Sequence, residues 1–265
     1  MKNILVPIGS NENAVNTLQY AIDFAEKMNA KIYLIHVFSS SKISGSFVKM
    51  DDLFERESKK ILKDHLLNVD KKNVEIFSKS LKGYNIIDSI EQLVKAFKID
   101  LLITSTKNDM SENSVFLGKI TGSLVKDTKT PVLIIPSMAS YKPISKVLLA
   151  VKSGIIKSKT ALNILTSIQK EFDSTINLLQ VKTPTLKEKD LEINKELDEI
   201  TSDLILTENA TIFQAVLEFL HEEKPDLICV IRRKRGFFKK LWEEDKIKKI
   251  DFESKIPLLV LKGKV

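Results

Sequence analysis

The chain has 265 residues, 43% of them hydrophobic and 29% charged, with a formal net charge of +7, which suits a globular chain with room for one large or two modest domains. Its single cysteine, Cys229, excludes an internal disulfide or a thiolate metal cluster. The longest apolar runs, such as Leu101 to Ile103, fall far short of the roughly 18 residues that a membrane-spanning helix needs.

No charged stretch, apolar core and small-residue cleavage site open the chain, so a cytoplasmic protein is expected. Ile4 to Ile8 is a short apolar run that reads as a strand, followed by Val15, Leu18, Ala21, Ile22 and Ala25 at helical spacing. Ile32 to Val37 is a second strand, Ser39 to Ser46 a polar loop, and a helix is predicted from about Phe47 to Leu67. Val74 to Ser80 alternates as a strand, and Ile86, Ile87, Ile90, Leu93, Val94 and Phe97 form a helical stripe. Leu101 to Thr104 is the fourth strand, Ile120 to Lys126 a helix, and Pro131 introduces the fifth strand.

The second half then repeats the first. Lys2 to Gly9 (KNILVPIG) returns as Lys146 to Ser153 (KVLLAVKS), Lys31 to Val37 as Thr175 to Val181, Asp100 to Ile103 as Asp226 to Cys229, and Pro131 to Ile135 as Pro257 to Leu261. Strands Val147 to Val151, Ile176 to Val181, Ser202 to Thr207 and Leu227 to Ile231 alternate with helices Lys159 to Phe172 and Thr211 to His221. Between Val181 and Asp226 the second copy is shorter, at the expense of the helical region around Leu186 to Ile200. Near-continuous apolar strands alternating with helices imply parallel sheets covered on both faces. The expected fold class is α/β, two tandem doubly wound parallel-sheet domains, 1–140 and 144–265, joined by a short connection around Pro143.

In such sheets a ligand sits beyond the carboxyl ends of the strands, where strand order reverses. In the first copy those ends are Pro7 to Ser10, His36 to Phe38 and the loop from Thr104 to Thr121. Gly118, Thr121, Gly122 and Ser123, just before or within a helix start, suit a phosphate. Gly118-Lys119-Ile120-Thr121 fails as a P-loop, because Asn113 stands where a glycine is needed and Ile120 where a hydroxyl is needed. His36, His65 and His221 are scattered in sequence without metal-ligand spacing, no metal site is expected, and no nucleophile can be paired with a base, so no catalytic residues are assigned. Cys229, among aliphatics, reads as a buried structural thiol.

Arg232 to Lys249 (RRKRGFFKKLWEEDKIKK) concentrates the positive charge and interleaves it with Phe237, Phe238, Leu241 and Trp242. Packing of those aromatics on the sheet, with lysines reaching into water, is the bland reading. The alternative is a partner surface built from Arg232, Arg233, Arg235, Phe237 and Trp242. Acidic Glu243, Glu244 and Asp245 interrupt the run and argue against nucleic acid.

Val6-Pro7, the strand ending His36-Val37, and GKITGSLVKDTKTPVLIIP from Gly118 to Pro136 together resemble the universal stress protein family. The second copy's PDLICVIRRKRGFF and FESKIPLLVLKG resemble the C-terminal domain of tandem members from Bacteroidetes-type bacteria. The resemblance covers essentially the whole chain. It implies a Rossmann-like, adenine nucleotide alpha hydrolase-like fold and pairing of the two copies as an intramolecular pseudo-dimer through their last strands; a further homodimer is left open. It also implies a nucleotide loop of form G-x2-G-x9-G-[ST]-x-[ST] and an acidic residue shortly after the first strand. Aligned on Gly118, this chain has Ser105 and Asn108 at the first two glycines, Lys119 at the first hydroxyl and Thr121 at the last, with Gly9 at the acidic position. In the second copy Glu244, Asp245 and Ile247 fall opposite Gly118, Lys119 and Thr121, and carboxylates there repel a phosphate by about 1 kcal/mol per close pair.

Two functions follow. In one, ATP or AMP binds copy one, with Gly118, Lys119 and Thr121 on the phosphates and Pro7, Ile8 and Val37 beside the base, and the protein is a sensor. In the other, both sites have decayed and the chain is a non-catalytic interaction module that engages a protein partner. The depleted glycine pattern favours the second. A slow ATP hydrolase lacks a visible general base.

Overall fold

The computed structural model describes residues 1–9, 13–39, 47–106, 117–137, 139–156, 158–184, 191–209, 212–232 and 255–263. The chain divides into two compact units, Met1–Asn108 with Gly118–Tyr141, and Asp109–Leu117 with Lys142–Val265.

Unit 1 runs β1 (Asn3–Pro7), α1 (Ala14–Lys27), β2 (Lys31–Phe38), α2 (Phe47–Leu67), β3 (Ile76–Lys82), α3 (Ile86–Ala96), β4 (Leu101–Ser105), α4 (Lys119–Asp127) and β5 (Val132–Ile135). The strands lie in the order β3-β2-β1-β4-β5, and the pairs are parallel. Strand order reverses between β1 and β4, so the ligand-binding position of a doubly wound sheet falls at the carboxyl ends of those two strands. α1 covers the sheet with Leu18, Ile22 and Phe24, each fully buried and each contributing about 2 kcal/mol of apolar burial. α3 begins at Asn85, whose side chain accepts the Ile87 N–H at 3.0 Å.

Unit 2 runs β6 (Lys146–Val151), a 3-10 turn (Lys159–Leu162) leading into α5 (Asn163–Phe172), β7 (Thr175–Lys182), α6 (Lys195–Asp198), β8 (Asp203–Glu208), α7 (Ile212–Glu223), β9 (Leu227–Arg232) and β10 (Leu258–Lys262). Its order, β8-β7-β6-β9-β10, and its parallel pairs repeat those of unit 1. Where unit 1 has the long α2, the described residues of unit 2 include the four-residue α6. Cys229 is fully buried in β9, and burial pushes its thiol pKa well up, as expected of a structural cysteine.

The repeat extends to details that no hydrophobic pattern carries. Asp100 accepts the backbone N–H groups of Lys2 and Asn3 at 2.6 and 3.0 Å, and Asp226 accepts those of Ser145 and Lys146 at 2.9 and 3.0 Å. Left-handed turn residues recur as well: Asn29 and Asp173 at φ 48° and 53°, Lys98 and Lys224 at φ 49° and 43°.

These pairings correct the sequence alignment of the first strands by one residue. Asn3 pairs with Lys31, and Lys146 with Thr175, so Lys146 is the counterpart of Asn3 rather than of Lys2. Gly9 then stands opposite Lys152. A second difference concerns β3, which begins at Ile76 rather than Val74. Lys72 adopts φ 47° and the Val74 N–H bonds the Lys71 carbonyl, so the chain is still turning there. No helix among the described residues is long and apolar enough to cross a membrane.

Candidate functional site

Pro7 ends β1, and the Ile8 N–H reaches across to the Ile35 carbonyl at 2.8 Å, which fixes the path of the chain where it leaves the sheet. Gly9 follows. A Cβ built on it meets no atom of the described residues within 4 Å, so they leave open space at this corner. Val37 lies near the end of β2, and Gly83 packs the β3 to α3 turn against it, since a Cβ at Gly83 would sit 3.2 Å from a Val37 methyl.

On the other side of the reversal point, α4 begins at Gly118, whose φ of 48° and ψ of 163° suit glycine. Among the described residues no side chain caps this helix, and N–H groups at a helix start favour an anion. Lys119 is exposed at the same place. Thr121 behaves differently from the expectation of a phosphate ligand. Its hydroxyl donates to the Ser105 carbonyl at 2.7 Å and lies 3.0 Å from the Thr104 hydroxyl. With its one proton on Ser105, it accepts that of Thr104. Thr121 is therefore buried as a tie between α4 and the end of β4, and it has no proton left to offer a phosphate. Ser105 contributes through its carbonyl to that tie. Asn108 lies outside the described residues.

Two histidines that are far apart in sequence meet here. His36 Nδ1 lies 2.7 Å from the Ser58 hydroxyl, and Ser80 donates to Ser58 at 2.5 Å. Ser58 thus passes its own proton to His36 Nδ1, and the neutral ring carries its hydrogen on Nε2. Burial holds the His36 pKa below its ordinary 6.5, helped by the charge of nearby His65 and opposed by Glu57. His65, in the last turn of α2, donates through Nε2 to the Gly9 carbonyl at 3.0 Å. Sequence reasoning missed this cluster, because its members come from α2, β2, β3 and the end of β1.

The lowered His36 value gives a pH prediction. The unfolded chain takes up this proton at higher pH than the folded one, so the stability that neutral His36 secures is full above about pH 6.5 and is lost as acidification passes through the folded value. The urea midpoint of the wild type is expected to fall between pH 7 and pH 5 by more than that of His36→Asn, whose amide oxygen still accepts from Ser58.

The corresponding end of unit 2 is closed by its own chain. Asn194 donates its backbone N–H to the Gly154 carbonyl at 3.1 Å, and its side chain bonds both the N–H and the carbonyl of Ile156, at 3.3 and 2.8 Å. The buried Gln180, near the end of β7, donates to the Leu191 carbonyl at 3.2 Å. A Cβ on Gly154 would lie 2.5 Å from the Glu192 carbonyl oxygen and 2.9 Å from Ile193 Cα. Residues 191–194 therefore fill the space beyond the carboxyl end of β6. Arg232 ends β9, while Arg233, Arg235, Phe237 and Trp242 lie outside the described residues. Among the described residues, no group of three His, Cys, Asp or Glu side chains could hold a metal ion.

Comparison with known proteins places this geometry. Residues 1–136 match the universal stress protein family. A universal stress protein of Methanocaldococcus jannaschii is 24% identical over 139 residues, which span 51% of this chain and 81% of that protein. The crystal structure of a universal stress protein from Archaeoglobus fulgidus is similar with a TM-score of 0.73 at 18% identity, covering 98% of this chain and 96% of that one. A functionally unknown protein from Pseudomonas aeruginosa is similar with a TM-score of 0.63 at 14% identity, covering 99% of this chain and 93% of its own. Both likenesses extend the shared fold over the two units.

Proposed function

The chain belongs to the universal stress protein family, and from that premise we propose a non-catalytic regulator with one working adenine-nucleotide site per chain, in unit 1. The observation that carries the reading is the contrast between the two reversal points. Among the described residues of unit 1 the corner at Gly9 is open and the uncapped start of α4 presents Lys119. In unit 2 residues 191–194 occupy the space beyond β6.

ATP or AMP in unit 1 sets its phosphates at the Gly118 turn, where free N–H groups and the Lys119 ammonium meet them. Its base lies toward Pro7, Ile8 and Val37. The Thr121 and Thr104 hydroxyl protons are spent within the protein, on the Ser105 carbonyl and on Thr121, so neither hydroxyl donates to a phosphate. A bound nucleotide then acts by stabilising the folded form of unit 1, and the basic, aromatic sequence after Arg232 is the segment assigned to a protein partner. The test is a calorimetric titration of the full chain with AMP and with ATP. One nucleotide bound per chain, with ATP unchanged over the experiment, supports the proposal; two per chain, none, or steady release of ADP overturns it.

A further inference from the structure

We infer that His65 is the hydroxyl acceptor of the unit 1 site, and that the ligand it selects is a nucleotide with a free ribose diol. The inference rests on the nucleotide reading given above and names a residue that reading leaves unused.

The argument is an inventory of protons. The Gly9 carbonyl can only accept, so His65 must donate to it through Nε2–H, and the neutral ring then holds its lone pair on Nδ1. That nitrogen has no hydrogen-bond partner among the described residues. The described polar side chains at the ends of β2 and β4 are already committed. His36 Nδ1 accepts from Ser58, and the Thr104 and Thr121 hydroxyls serve each other and Ser105. The start of α4 and Lys119 offer donors alone, which suits an anion but cannot receive a hydroxyl proton. Among the described residues the site thus combines donors at α4 with the Nδ1 acceptor of His65, held at the end of β1 by its bond to the Gly9 carbonyl. A ligand that satisfies both ends carries an anionic group and a hydroxyl, as a 5′-phosphorylated ribonucleoside does.

Position supports the same assignment. His65 belongs to α2, an element that unit 2 replaces with the short α6 and the 191–194 segment. There the Gly154 carbonyl, two residues beyond the counterpart of Gly9, accepts from the backbone N–H of Asn194, a group with no second function to offer. In unit 1 the bond that ties α2 to the chain leaving β1 comes instead from a side chain that keeps an acceptor in reserve.

The experiment is a titration of the full chain with AMP and with 2′,3′-dideoxy-AMP, using wild type, His65→Ala and His65→Gln. Wild type is expected to bind dideoxy-AMP about tenfold more weakly than AMP, the net worth of one hydrogen bond. His65→Ala should lose about tenfold for AMP and be indifferent to the missing hydroxyls, while His65→Gln, with an amide to donate and a carbonyl to accept, should retain most of the preference. Equal losses for both ligands in His65→Ala would reduce His65 to a brace for α2 and overturn the inference, as would no loss at all. Wild type that binds AMP and dideoxy-AMP equally overturns this inference alone, whereas wild type that binds neither overturns the nucleotide reading as well.

Discussion

Gly154→Val is expected to destabilise the protein by about 3 kcal/mol, near the upper end of what overpacking costs. The added Cβ would lie within 3 Å of the Glu192 carbonyl oxygen and of Ile193, and the two methyl groups of valine add to the conflict. Backbone atoms do not swing aside as a side-chain tip can, so relief requires residues 191–194 to lift. That movement breaks the Asn194 bonds to Gly154 and Ile156 and the Gln180 bond to Leu191. Gly9→Ala, at the open end of β1, is expected to change stability by less than about 0.5 kcal/mol. Urea denaturation of the two variants beside wild type measures both. Equal effects would contradict the picture of one closed and one open end.

Lys119→Glu has the largest expected effect on binding. Lys119 is exposed, so the substitution leaves the fold alone. It turns an attraction for phosphate into a repulsion, each worth about 1 kcal/mol for a close pair in water. The sum of about 2 kcal/mol corresponds to roughly 30-fold weaker nucleotide binding. It adds a negative charge at the start of α4, where the helix itself favours one, so the variant alone is not destabilised. Because a ligand that binds only the native state raises its melting temperature, thermal unfolding in millimolar AMP reads the difference. A variant stabilised by AMP as much as wild type would place the phosphate away from α4.

Much of the fold is legible in the residues because the chain states it twice. The apolar runs, the α1 and α3 stripes and the shortened second crossover all mark real elements. The one-residue slip between the first strands has a physical origin. Ile4 to Val6 and Val147 to Leu149 are buried, and a strand apolar on both faces has no alternation to set its register. Matching Lys2 to Lys146 looks as good in letters as the true pairing, and only the hydrogen bonds to β2 and β7 decide.

The candidate site is less legible. Gly118 and Lys119 lie at the start of α4. Thr121 carries the right residue type but spends its proton within the protein, a fact that depends on Thr104 and Ser105 arriving from β4. The bond between His65 and Gly9 was invisible in the sequence, since it spans 56 residues and arises only when α2 lies along the end of β1. The closure of unit 2 by Asn194 and Gly154 was equally hidden. Asn194 lies in a polar stretch that local sequence cannot tell from any other loop.

Native mass spectrometry of the full chain in excess AMP addresses the central claim most directly, because it counts ligands per chain. The account predicts a dominant species with one AMP, reduced in parallel by Lys119→Glu and unaffected by changes in the 191–194 segment. A two-AMP species at comparable affinity would mean that unit 2 is open, and a bare chain under all conditions would mean that neither unit is a nucleotide site.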